Sequence, residues 1–251
     1  MSENYSLESF TVDSSDGVKL RTRVFKPRTE GNGNLGIVLV HPYSILGGCQ
    51  GLLRGIASGL ALNGYTSATF DMRGVGKSTG RPSLTGFAEV KDVVAVCNWL
   101  SNTFSLPRIL LVGSSAVAAL SAEVSNPVVG LEKEFPLSIS QTAAGAPIAG
   151  SAVDQIEKVI GYVSIGYPFG MTASILFGRH HKAILQSPKP KLFIMGTQDG
   201  FTSVKQLRNK LNSAAGRVET HLIDGVGHFQ MEGPAYDAEM VDLIIKFISS
   251  L

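Results

Sequence analysis

Six short runs punctuate this chain, at residues 36–40, 66–70, 109–112, 160–165, 192–195 and 219–223. They are rich in Val, Ile, Leu, Phe and Thr. Most are continuously apolar, so neither face can be left in water; such segments form the strands of a parallel sheet covered on both sides. Between them the apolar spacing shifts to the helical period, over 52–62, 86–100, 203–212 and 236–248. In the second of these, Phe87, Val90, Val94 and Trp99 form one stripe, which reads as core packing rather than as a ligand-stacking surface. Ahead of the series, residues 9–27 alternate polar and apolar side chains about Asp16-Gly17, the pattern of an antiparallel hairpin. A hairpin followed by strand–helix alternation predicts an α/β fold. The sheet is doubly wound and mostly parallel, in one domain spanning 1–251.

Composition narrows the function classes. Only 17% of residues are charged and 44% are hydrophobic, which excludes a disordered chain. The 22 basic and 20 acidic residues nearly cancel, and there is a single Trp. No basic field or basic–aromatic cluster points to nucleic acid or acidic lipid. Cys49 and Cys97 are too few for a disulfide or metal framework. Residues 1–6 lack the basic-then-apolar pattern of a signal peptide. Residues 159–178 carry no charge, but Gly161, Gly166, Pro168 and Gly170 interrupt them, so they read as a buried strand followed by a loop, not a membrane span. The expectation is a cytoplasmic protein, monomeric by default.

In a doubly wound sheet, ligands bind beyond the carboxyl ends of the strands. Three of those ends carry reactive side chains: Gly113-Ser114-Ser115-Ala116, Gly196-Thr197-Gln198-Asp199-Gly200 and Gly225-Val226-Gly227-His228-Phe229. The chain order Ser, Asp, His is that of an α/β-hydrolase triad. With His41-Pro42-Tyr43 followed by Gly47-Gly48, and Asp71-Met72-Arg73-Gly74-Val75-Gly76-Lys77-Ser78, the chain resembles the α/β-hydrolase superfamily over nearly its whole length. The likeness is to small lidless serine hydrolases and esterases of the dienelactone-hydrolase-like and serine-aminopeptidase-like groups.

The resemblance implies a role for each residue. A free serine hydroxyl is a weak nucleophile, so Ser115 needs His228 as base, with Asp199 holding the imidazole. Backbone N–H groups of Tyr43 and Ala116 would form the oxyanion hole, each donor contributing about 3 kcal/mol. Ser114 is a rival nucleophile and Asp224 a rival acid. Asp71 and Arg73 read as turn-fixing residues, His180-His181 as a surface pair in a loop, and His221 as a packed or solvated strand residue. No metal or organic cofactor is implied. Residues 74–78 lack the spacing of a phosphate loop. The segment 167–190, where larger relatives carry a lid, is short. Phe169, Met171, Ile175, Leu176 and Phe177 are candidates for an apolar acyl pocket or for core packing. The implied reaction is hydrolysis of a small-molecule carboxylic ester or thioester through an acyl-enzyme. The alternatives are an amidase or aminopeptidase, and a catalytically impaired receptor or scaffold of the same fold.

One departure stands out. The nucleophile elbow reads G-x-S-x-G, and Val117 stands where the last glycine belongs. That glycine lets the following helix approach a neighbouring strand closely. Further on, Ala144-Gly145-Ala146-Pro147 resembles the missing helix start, and removing 117–144 would join the halves into G-S-S-A-G. Residues 117–144 thus read as an insertion just after the elbow. The competing reading makes 116–124 a replacement helix, with 145–152 opening a second segment.

Overall fold

The structure is a computed structural model, and it describes residues 4–28, 31, 33–42, 48–115 and 144–251. The alternating N-terminal segment folds as β1 (Tyr5–Asp13) paired antiparallel with β2 (Lys19–Pro27). The turn between them uses Gly17 at φ 80°. The apolar runs become β3 (Leu35–Val40), β4 (Thr66–Phe70), β5 (Arg108–Ser114), β6 (Val159–Ile165), β7 (Lys191–Gly196) and β8 (Val218–Ile223). Together they form an eight-stranded sheet in the order β1-β2-β4-β3-β5-β6-β7-β8. The β2–β4 pair is antiparallel and every later pair is parallel. All six residues of β3 are buried, as a strand covered on both faces requires.

The helical patterns appear as α1 (Arg54–Leu62) and α2 (Phe87–Thr103), which precede β4 and β5. Two helices that the sequence reading did not set among its helical patterns follow, α3 (Gly145–Ala152) and α4 (Met171–Gln186). The last two are α5 (Val204–Leu211) and α6 (Asp237–Ile248). Ser203 and Gln206 close a reciprocal cap at the start of α5. One apolar layer packs α2, α3 and α4 against the sheet, and the second packs α1 and α6 against the other face. Trp99 lies in the first layer with Phe10 and Phe104, as core packing predicts.

The α4 helix corrects one expectation. The sequence predicts a strand and then a loop over the uncharged stretch 159–178. The strand ends at Ile165 and includes Gly161, and Gly166, Pro168 and Gly170 occupy only the short connection before a 16-residue helix. Consequently His180 and His181 are buried on a helix rather than paired at the surface. Among the described residues no helix is long and apolar enough to cross a membrane.

Small residues let α3 lie directly on β5, and all eight of its residues are buried. A Cβ at Gly113 would come 2.8 Å from Ala146 Cα and 2.7 Å from Ala149 Cβ. A Cβ at Gly145 would come 2.1 Å from the Ser114 carbonyl oxygen and 2.2 Å from that of His41. Both sites demand glycine for close approach, since the backbone of α3 meets Gly113, and the backbone at the end of β5 and just past β3 meets Gly145. Gly145→Ala is expected to cost about 3 kcal/mol, read as a lowered midpoint in chemical denaturation; an unchanged midpoint would contradict the packing.

The turn after β4 is built from buried polar contacts. Asp71 accepts hydrogen bonds from the Gln50 backbone N–H (2.9 Å) and side-chain Nε2 (2.8 Å). Arg73 Nη2 meets Asp92 Oδ1 at 2.6 Å, and Arg73 Nη1 meets Asp16 Oδ2 at 2.9 Å. These contacts tie the hairpin turn, the 71–78 loop and α2 together, which is the turn-fixing role read from the sequence.

Candidate active site

The carboxyl ends of β5 and β7 and the turn after β8 converge. Asp199, just past β7, is held by its own turn: its Oδ1 accepts the backbone N–H groups of Phe201 (2.7 Å) and Thr202 (2.9 Å). Its other oxygen, Oδ2, lies 2.5 Å from His228 Nδ1. His228 begins a short 3-10 turn after β8 and is itself 4% exposed. The ring's far nitrogen, Nε2, is 2.7 Å from the backbone carbonyl oxygen of Ser115. The structure therefore brings Ser115, Asp199 and His228 together, with the acid and base directly bonded.

The serine hydroxyl, however, faces elsewhere. Ser115 Oγ accepts the backbone N–H of Ala146, in the first turn of α3, at 3.1 Å. A carbonyl only accepts, so Nε2 donates to it and is not open to take the proton of Oγ. The elbow normally holds its serine in a sharp, strained turn. Among the described non-glycine residues only Ser105 has a positive φ (52°), so Ser115 lacks that strain. The oxyanion-hole expectations, Tyr43 and Ala116, fall outside the described residues, as does the predicted insertion apart from Ala144. The first turn of α3 thus meets Ser115 through the Ala146 N–H; Pro147 has no N–H, and the Ile148 N–H bonds the Ala144 carbonyl.

The rivals have other partners. Ser114 donates its hydroxyl to Glu232. Asp224 accepts a hydrogen bond from Thr197 Oγ1 at 3.0 Å, away from His228. His41 is fully buried; its Nε2 accepts the Met72 N–H at 3.1 Å and its Nδ1 donates to the Pro42 carbonyl at 2.7 Å. It thereby ties the residues just past β3 to Met72, just past β4. His221, on β8, sits at the surface 3.8 Å from Glu239.

Of the five acyl-pocket candidates, Met171 and Ile175 are 80% exposed on the outer face of α4, whereas Phe169 and Phe177 are in the core. The apolar surface at the reacting groups comes instead from two residues the sequence reading passed over. The Phe201 ring lies 4.5 Å from the His228 ring, and Phe229 lies 5.4 Å from both. Their positions, two after Asp199 and one after His228, were the available signal. A hollow of about 350 Å³ beside Leu35 and Arg108 lies at the amino ends of β3 and β5, opposite this site.

His180 links three segments: Ser151 Oγ lies 2.6 Å from its Nδ1, and its Nε2 donates to the Thr85 carbonyl at 2.7 Å. Burial lowers the pKa values of His41, His180 and His181, the last to about 4 with Lys210 and His180 adding to the effect. A histidine depressed on folding contributes stability that is present above its unfolded value of 6.5 and lost as pH falls toward its folded value. His181 alone accounts for about 3 kcal/mol over that window. The loss of stability between pH 6.5 and 4 is therefore expected to shrink in His181→Leu, measured by urea denaturation; an identical slope would exclude the effect.

Comparison with known proteins bears on the family and the fold. The sequence pattern of the X-Pro dipeptidyl-peptidase (S15) family matches residues 16–141. No curated protein matches the chain. Among solved structures it is similar to an α/β serine hydrolase homologue from Coxiella burnetii, with 24% identity and a TM-score of 0.70 over 95% of this chain and 96% of that one. A lidless serine hydrolase from Xanthomonas campestris shares 18% identity at a TM-score of 0.71, over 98% and 94%. An esterase from Pyrococcus furiosus shares 17% at 0.66, over 98% and 93%. Half of the sequence carries the family pattern and the whole fold is that of a lidless α/β-hydrolase: the chain belongs to the X-Pro dipeptidyl-peptidase (S15) family of serine hydrolases.

Proposed function

We propose that this protein hydrolyses a carboxylic ester or thioester of a small molecule, with Ser115 as nucleophile, His228 as base and Asp199 as its orienting acid. The observation that carries the proposal is His228 lying between Asp199 Oδ2 and Ser115. In the first half-reaction His228 takes the Ser115 proton as Oγ attacks the acyl carbon, then returns it to the leaving alcohol or thiol. Water repeats the cycle to release the acid. Phe201 and Phe229 supply an apolar edge for the acyl or leaving group. The name of the matching family favours peptide bonds as a second reading, since the same triad cleaves amides; a panel of ester, thioester and anilide substrates separates the two. Both cysteines are unpaired, which supports a reducing, cytoplasmic setting.

We further propose that the segment between Ser115 and α3 is an insertion that weakens catalysis in the full chain. Because residues 116 and 144 are both alanine, removing 116–143 or 117–144 leaves the same sequence. The fit of Gly145 against Ser114 and His41 supports α3 as the helix that the elbow requires. The test of the serine-hydrolase reading is labelling of the full chain by a fluorophosphonate, with Ser115→Ala as control. Slow labelling that the control abolishes is expected; labelling that survives in Ser115→Ala would discard this nucleophile.

A further inference from the structure

The turn that carries His228 continues into an acid that the triad does not use. Glu232, four residues on, is 4% exposed, and among the described residues no ion pair includes it. Its Oε1 accepts the hydroxyl of Ser114, the last residue of β5 and the immediate neighbour of Ser115. Its Oε2 has no hydrogen-bond partner among the described residues. Burial, with the nearby charge of Asp237 adding to it, pushes this carboxyl well above the usual carboxylate range. An acid enclosed in this way is costly to desolvate if charged, and still costs when neutral. An apolar side chain of similar size would fill the space without that cost. What the carboxyl adds over an apolar side chain is direction: one hydrogen bond, between a residue beside the nucleophile and the turn that holds the base, 118 positions apart in sequence.

We infer that Glu232 is a positioning residue for the hydrolysis, clamping the His228 turn onto the end of β5 through Ser114 and so setting the gap between imidazole and nucleophile. The inference rests on the serine-hydrolase reading. Displacing a reacting group by about 1 Å can cost on the order of a hundredfold in rate. Loosening this clamp therefore lowers kcat and leaves KM, which reports contacts to the substrate, nearly unchanged.

The test uses the full chain with p-nitrophenyl acetate, alongside the downfield proton NMR signal of His228 Nδ1–H, which is bonded to Asp199. Glu232→Ala removes the acceptor. Ser114→Ala removes the same bond from the other side while deleting a single oxygen, so it covers the case in which Glu232→Ala does not fold. Each is expected to lower kcat roughly tenfold or more with KM within about twofold, and to broaden the His228 signal. Glu232→Gln keeps an acceptor oxygen and is expected to restore both readouts to within about threefold. The double variant is expected to be no worse than the singles, because one bond is lost in all three. An unchanged His228 signal in folded Ser114→Ala and Glu232→Ala overturns the inference, as does a rise in KM at constant kcat. If the parent chain is not labelled at Ser115 by a fluorophosphonate, the hydrolase reading falls and the positioning role falls with it. If the parent is labelled and the variants match it in both readouts, only the positioning role falls.

Discussion

Excising residues 116–143 is expected to raise the rate of Ser115 labelling by a fluorophosphonate at least a hundredfold over the full chain. Gly113 and Gly145 each sit where a side chain would strike backbone, the first against α3 and the second against the ends of β3 and β5. That is the requirement on the two glycines of an elbow, yet residues 116–143 separate Ser115 from Gly145 by more than the single residue the motif allows. A direct connection would force the chain to reverse immediately after Ser115, in the strained turn that presents the hydroxyl. In the full chain Ser115 has no such strain, and its carbonyl rather than its hydroxyl faces His228.

Restoring the turn would rotate Oγ toward Nε2 and would leave the N–H of Ala144, directly after the serine, to meet the oxyanion. Base catalysis contributes roughly 10²–10⁴ in rate and one oxyanion donor roughly 10²–10³, so a hundredfold gain is a lower bound. Equal labelling of two folded proteins, with and without the segment, would sink the proposal. A deleted form that does not fold would show instead that the segment belongs to the domain.

Replacing Asp92 by alanine is expected to destabilise the protein by about 3–5 kcal/mol, because it strands the Arg73 guanidinium in the interior. Arg73 is 6% exposed, and Asp92 is fully buried and accepts from its backbone N–H, Nε and Nη2. Burial pushes the Asp92 carboxyl up, against the pull of Arg73. At the outer end of the network the same guanidinium holds Asp16 down to about 2. Asp16 is partly exposed, and its replacement by alanine is expected to cost about 1 kcal/mol or less. The double change Arg73→Met with Asp92→Leu removes both charges and is expected to recover most of the loss. Midpoints in urea denaturation decide the matter. A loss below about 1 kcal/mol for Asp92→Ala would mean that water reaches Arg73 once its partner is gone.

The hairpin, the parallel strands and four of the six described helices were legible because each is written in a local period. Alternation at 9–27 marks one wet face, continuous apolar runs mark two covered faces, and a 3.6-residue stripe marks one. The order of Ser115, Asp199 and His228 was legible for the same reason, since each follows a strand whose end is visible in the sequence. The α4 helix was not, because its exposed face carries the apolar Met171 and Ile175 while its buried face carries the polar His180 and His181, which blurs the helical period. His180 and His181 followed it into the interior.

The sequence by itself determined the sheet, the strand ends that carry the reactive residues, and the missing glycine at Val117. Tertiary structure alone decided which atom of Ser115 faces His228, that Gly145 lies against His41, and that Glu232 reaches Ser114. Those are contacts between segments far apart along the chain. Periodicity reports how much of a segment is covered, but which groups meet there depends on the packing of the whole molecule.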